Sequence, residues 1–193
     1  PAVNGFVEIS GSGAALSLGD DTVAVVNMPF VSPAFSRTDL VVSNDGGISL
    51  DGRTTLLNPN QPLPALNAFA RGEAFLPYWD DLDRTTGNVY HATIGDPPNR
   101  TFVVEWSNRP LNGGDAVLDG DEGTFQVHIF ETPNQDVVAQ FVYADTNFLN
   151  PGSNDGRSAT IGYQRSATQA VQWSSNTAGA VSAGTVLSLI ENL

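Results

Sequence analysis

Between Phe75 and His91 the chain carries its densest chemistry: an aromatic run (Phe75, Tyr78, Trp79), three carboxylates (Asp80, Asp81, Asp83), a turn at Thr86-Gly87, and a second aromatic segment ending in a histidine. In extended backbone successive side chains alternate, so Asp81 and Asp83 share one face while Asp80 points with Leu82 to the other. Two carboxylates at a strand end, completed by backbone carbonyls and waters, can hold Ca²⁺, which takes about six to eight oxygen ligands. The Asp-x-Asp-x-Asp-Gly order of an EF-hand loop is absent. The competing reading is a buried strand reaching water, where one Asp caps the loop by accepting backbone N–H groups. The structural reading is preferred, and calcium is the alternative. A second acidic group (Asp115, Asp119, Asp121, Glu122) sits in the glycine-punctuated segment Gly113–Gly123. It is either a flexible calcium-wrapping loop or a solvated hairpin tip. No cofactor is expected beyond Ca²⁺.

Catalysis finds little support. A glycosidase needs two carboxylates about 5–10 Å apart across a sugar-sized cleft. Sandwich glycosidases carry Glu-x-Asp-x-x-Glu on one strand, which Glu105-Trp106-Ser107 does not continue. The two histidines, His91 and His128, lack a Gly-x-Ser-x-Gly elbow to serve. His128 alternates with Gln126 and Phe130, opposite the apolar face, and reads as a surface or inter-sheet residue. Among the aromatics, Trp79 and Trp106 lie in apolar strands that bury them, whereas Trp173, between Gln172 and Ser174, is the one expected at the surface and the one suited to stacking on a sugar ring. Asn99-Arg100-Thr101 is a lone glycosylation sequon on an expected surface turn.

Composition narrows the classes further. Cysteine is absent, which removes disulfides, thiolate metal sites and cysteine nucleophiles. All 8 basic residues are arginine, so Schiff-base and phosphate-loop lysine chemistry is excluded as well. With 21 Asp and Glu the net charge is −13, which disfavours nucleic acid and anionic membranes and suits cationic partners or bound Ca²⁺. No stretch approaches the roughly 20 apolar residues that span a bilayer. No leader is visible before Pro1, so the chain is expected to be a mature product or an excised domain.

The elements that must position these residues read as short strands. Alternation places them near Phe6–Ser10, Ala14–Leu18, Thr22–Asn27, Asp39–Ser43, Gly47–Leu50, Asn88–Ile94, Thr101–Ser107, Thr124–Glu131, Val137–Tyr143, Ser158–Gln164 and Thr185–Ile190, besides the aromatic strand from Phe75. Phe125, Val127 and Ile129 share a core face. Turn chemistry such as Asn44-Asp45-Gly46-Gly47 and Asn150-Pro151-Gly152 separates the strands. One short helix or 3₁₀ turn is expected in Pro64–Gly72. The 193 residues therefore predict a single all-β domain, an antiparallel, jelly-roll-like β-sandwich of about 10–12 strands with little helix.

In that frame several motifs form an ordered series: Met28-Pro29-Phe30; Leu40-Val41-Val42-Ser43-Asn44-Asp45-Gly46-Gly47-Ile48-Ser49-Leu50; the aromatic-acidic run to Asp83; Gly87-Asn88-Val89-Tyr90-His91; Phe102-Val103-Val104-Glu105-Trp106; Thr124–Val127; and Ala159-Thr160-Ile161-Gly162-Tyr163. The series, from about Met28 to Ile190, resembles the nidogen-like extracellular domain and its bacterial secreted and surface relatives. Two departures stand out: Asn44–Gly47 lacks the aromatic of the family's turn, and Gly113–Gly123 is longer than expected. The resemblance implies a non-catalytic, secreted or cell-surface module for adhesion, contacting an extracellular protein or glycan. Two alternatives accompany it: a fibre subunit, in which the apolar segment Gly5, Phe6, Val7, Glu8, Ile9 and Ser10 completes a neighbouring copy's sheet, and a carbohydrate-binding module.

Overall fold

A computed structural model describes residues 5–33, 35–52, 59–65, 72–112 and 121–190. Among the described residues the chain forms twelve strands and one short 3₁₀ turn. The strands are β1 (Ala14–Ala15), β2 (Val23–Asn27), β3 (Asp39–Ser43), β4 (Ile48–Ser49), β5 (Ala74–Trp79) and β6 (Asn88–Ile94), then β7 (Thr101–Pro110), β8 (Glu122–Asn134), β9 (Val137–Asp145), β10 (Thr160–Ser166), β11 (Gln169–Ser175) and β12 (Val186–Ile190). They build two six-stranded sheets, ordered β1-β6-β7-β8-β9-β12 and β11-β10-β5-β4-β3-β2, with every pair antiparallel. The all-β sandwich expected from the sequence is the observed fold.

The core lies between the sheets. Phe125, Val127 and Ile129 of β8 are fully buried there, as the alternation predicts, with Trp106 of β7 and Tyr143 of β9. Trp106, Phe125 and Tyr78 form a stacked column, with centroids 5.1 and 5.5 Å apart. A buried indole or phenol needs a partner for its polar atom. Trp106 Nε1 donates to Ser43 O at 2.8 Å and Tyr143 Oη to Pro77 O at 2.6 Å, each reaching from one sheet to the other. These bonds fix how the two sheets face each other.

Strand β5 is buried along its whole length. Between Trp79 and Leu76 its register against β10 slips by one residue, a bulge that accommodates Pro77 in a central strand and turns Tyr78 into the main core while Trp79 faces away from it. Leu63 and Ala65 cover the outward residues Ala74, Leu76 and Trp79.

Three local expectations need correction. Phe6–Ser10 is not a strand; it is an irregular strap bonded to side chains of its own sheet. Val7 exchanges two hydrogen bonds with the Gln126 amide (3.2 and 2.6 Å), and Ile9 N donates to Glu105 Oε2 at 3.0 Å. His128 is not a surface residue: the outer face of β7 and β8 carries Glu105, Gln126 and His128 at 0% exposure, with the strap bonded to Glu105 and Gln126 and His128 Nε2 2.8 Å from Gln126 Oε1. Strand β11 is an addition to the expected set, since an edge strand reading Gln-Ala-Val-Gln-Trp-Ser-Ser lacks the alternation of a half-buried one. The 3₁₀ turn falls at Asn154–Gly156, and residues 66–71 of the expected Pro64–Gly72 turn lie outside the described residues.

The strap makes a pH prediction. Burial raises the Glu105 carboxyl above its ordinary value of 4.5, against the lowering effect of bonds from Ile9 and Gln126, and the Glu8 charge on the strap adds to the rise. The fold thus prefers Glu105 protonated. Its contribution to stability is full below pH 4.5 and is lost as pH rises through the raised value. Glu105→Gln, which keeps both acceptor contacts, is expected to stabilise the protein at pH 7 and to flatten that part of the pH–stability curve. Parallel slopes for the two proteins in urea titrations would rule out this carboxyl as the cause.

Candidate functional site

The three acids after β5 separate by face. Asp80 turns inward and is 8% exposed; it accepts the Ser158 hydroxyl and the Asp81 backbone N–H (2.9 Å). This is the strand-end cap anticipated from the sequence. Burial raises its pKa although those bonds oppose the rise. Asp81 points outward, as the alternation requires. Asp83 accepts the Arg84 backbone N–H, and its own N–H donates to Pro110 O at 2.9 Å.

Asp81 meets two acids that no sequence motif singles out. Asp20 and Asp21 occupy the turn entering β2, and one carboxylate oxygen from each of Asp20, Asp21 and Asp81 lies within 4.8 Å of the others. Burial, then the charges of Asp21, Asp83 and Asp81, raises the Asp20 pKa. Under this cluster lies the β3–β4 turn, fixed by Asn44 N donating to Thr22 O at 3.0 Å. Asp45 of that turn is 1% exposed. Burial and the charges of Asp21 and Asp81 push its pKa up to about 7.

The nearest buried countercharge is Arg109, itself 1% exposed. Its register against β8 shifts after Trp106, with Asn108 at φ +51°, so the bulge re-aims the Arg109 side chain from the outer face of β7 into the end of the sandwich. There it donates to Asn44 Oδ1 and to the carbonyls of Thr86 (3.3 Å) and Gly87 (3.4 Å), while Asn44 Nδ2 donates to Leu82 O. Burial lowers its pKa, opposed by Asp83, Asp45 and Asp20. The arginine within a strand and the Asn-Asp-Gly-Gly turn are the available sequence signals for this polar knot; nothing local joins them.

The second acidic group is only partly in view. Asp115 and Asp119 lie outside the described residues. Asp121 lines a cleft of about 160 Å³ with Asp80, Asp81, Asn112 and Ser158, while Glu122 begins β8. The histidines do not converge: His91 packs on Phe102 of the inner face (5.5 Å between centroids), and His128 is on the outer face. Asn99 of the sequon is exposed on its turn.

The expected surface tryptophan is at the surface. Trp173 is 59% exposed on β11, with its Nε1 donating to Ala180 O at 2.9 Å. Strands β11 and β12 close the two sheets on the same side, and the groove between them, about 70 Å³, is lined by Phe141, Tyr163, Val171, Trp173, Leu187 and Leu189, with Ser188 the only hydroxyl besides Tyr163 among the described residues that line it. Val171, Val186 and Ile190 add exposed apolar surface at 47%, 39% and 46%. Tyr163 and Leu189 also border an adjoining cleft of about 460 Å³ that reaches Phe35, Phe75 and Val138.

Among the described residues no helix is long and apolar enough to cross a membrane. No curated protein and no solved structure matches the chain. A family model does: residues 2–191 match the one described as NIDO related. The two-sheet sandwich and the ordered motifs along it are thus features of a family member, and this protein belongs to the NIDO-related family.

Proposed function

We propose that the protein is a non-catalytic extracellular binding module that holds an extended segment of another protein along the β11–β12 side of the sandwich. The observation that carries this reading is the coincidence of two sheet edges with an exposed apolar groove between them. Edge strands offer unpaired backbone groups to an incoming strand, and a side-chain groove beside them adds selectivity. Exposed apolar surface of this kind marks interaction sites. The net charge of −13 favours a segment that alternates apolar residues with Lys or Arg.

The chemistry of the groove favours a peptide over a sugar. A sugar ring needs several polar partners around the stacking aromatic. Here the Ser188 hydroxyl already accepts from Gln140 Nε2 at 3.2 Å, and the Tyr163 hydroxyl donates to Glu73. The fibre alternative has less to rest on, because Gly5–Ser10 uses backbone groups on side chains of its own subunit.

The test is selection of displayed peptides against the intact protein, run beside a glycan array, with Trp173→Ala and Ile190→Glu as variants. Apolar-basic peptides whose affinity falls about tenfold or more in both variants, with the thermal midpoint unchanged, are the expected result, since an anchoring aromatic commonly contributes about 2 kcal/mol or more. Glycan binding that requires Trp173, or peptides indifferent to both variants, would overturn the reading. Light scattering should give a monomer near 20.4 kDa; polymers would bring the fibre alternative forward.

A further inference from the structure

We propose that Asp20, Asp21 and Asp81, lying over the buried Asp45, form a Ca²⁺-binding site at the end of the sandwich where β2 begins and β5 ends. Three elements distant in sequence bring these acids together, and their backbones are tied in place: Asn44 N to Thr22 O at 3.0 Å, Asp80 N to Asp45 O at 3.3 Å, and Asn112 N to Asp81 O at 2.7 Å. One carboxylate oxygen from each of Asp20, Asp21 and Asp81 lies within 4.8 Å of the others, a spacing that one central ion can bridge.

Proximity of surface acids is common, so the decisive feature is beneath them. Asp45 is 1% exposed, and its Oδ2 has no hydrogen-bond partner. A buried carboxylate oxygen without a donor is costly and calls for a compensating positive group. Asp45 is held beside the same cluster by its backbone, with Asp80 N donating to its carbonyl at 3.3 Å and the adjacent Asn44 N to Thr22 O at 3.0 Å, and the charges of Asp21, Asp81 and Asp20 act on its carboxyl against one hydrogen bond from the Leu82 backbone N–H. Arg109 answers only part of this charge, because its guanidinium donates to Asn44, Thr86 and Gly87. A cation beside Asp45 would supply the partner that Oδ2 lacks and would neutralise the three outer carboxylates together.

The ligand class follows from the donors. All are carboxylate oxygens, hard ligands that suit Ca²⁺ or Mg²⁺ and exclude thiophilic metals. Of these two, Ca²⁺ tolerates irregular geometry and a mixed set of protein and water oxygens, whereas Mg²⁺ demands near-octahedral order. Acids drawn from a turn, a buried hairpin and a strand end make an irregular set. Of the acids singled out in the sequence, only Asp81 belongs here; Asp80 is committed to Ser158 and the loop.

The experiment is thermal unfolding of the EDTA-treated protein with and without added CaCl₂, with MgCl₂ and NaCl at matched ionic strength, followed by calorimetric titration with Ca²⁺. Extracellular modules bind Ca²⁺ with Kd on the order of 10⁻⁴–10⁻³ M. Millimolar Ca²⁺ is therefore expected to raise the Tm by roughly 3–10 °C. Mg²⁺ should produce a smaller rise and matched NaCl little or none. Asp21→Asn and Asp81→Asn should match or exceed the apo wild-type Tm, since each relieves repulsion, and should lose the Ca²⁺ increment. This pairing separates lost binding from lost folding. A wild-type Tm indifferent to Ca²⁺, an equal response to Mg²⁺ and NaCl, or an increment that survives both substitutions would overturn the proposal.

Discussion

Gly46→Ala is expected to abolish soluble folded protein or to lower the Tm by more than about 10 °C, reflecting a loss of roughly 4 kcal/mol or more. Gly46 sits at φ +71° in the β3–β4 turn, which lies flat on β5. A Cβ there would stand 1.9 Å from the Tyr78 carbonyl oxygen and 2.7 Å from its carbon. Neither atom can move alone, since Tyr78 is the bulged residue whose ring stacks on Phe125. The left-handed backbone costs alanine only about 1 kcal/mol by itself. Gly184 separates the two effects: it has φ +84°, but a Cβ added there would meet nothing within 4 Å, so Gly184→Ala should cost only the smaller amount. Equal losses in the two variants, read by urea titration, would show that the turn does not approach β5 this closely.

Arg109→Met should rank next, at about 3–5 kcal/mol, the usual cost of removing one member of a buried charged set. The substitution keeps most of the side-chain volume but strands Asn44 Oδ1 and the carbonyls of Thr86 and Gly87. It also leaves Asp45, Asp20 and Asp83 without their buried countercharge. Arg109→Lys should recover only part of the loss, because one ammonium cannot reproduce the planar fork. Combining Arg109→Met with Asp45→Asn should cost less than the sum of the single changes by about 1–3 kcal/mol, since each relieves the charge the other exposes. Additive losses in a double-mutant cycle would show that the two groups do not interact.

Both variants probe the same place, the end of the sandwich where the β3–β4 turn, the exit of β5 and the bulge of β7 meet. Much of the frame around it is legible from residues alone. The extents of β3 and β6 match the alternation, as does the inward face of β8. The burial of Trp79 and Trp106 and the exposure of Trp173 follow from the polarity of their neighbours. The site itself is not legible. In sequence Asp20 and Asp21 are ordinary turn acids, and Asn44–Gly47 reads as a turn that lacks the aromatic of the family's pattern. Arg109 shares the parity of Glu105 and Ser107, so without the bulge it would point with them to the outer face.

The sequence by itself determined an all-β chain, the faces of its regular strands and its membership among NIDO-related proteins. These follow from a period of two and from turn residues, signals that act over a few positions. Only the tertiary structure decided which acids meet, that a strap docks on Glu105 and Gln126 while His128 is buried beside them, and that β11 and β12 close the two sheets on one side. Those outcomes depend on contacts between residues tens to more than a hundred positions apart, such as Val7 with Gln126 and Asn44 with Arg109. Alternation tells a side chain which face of its strand it occupies. What covers that face is set by the rest of the fold.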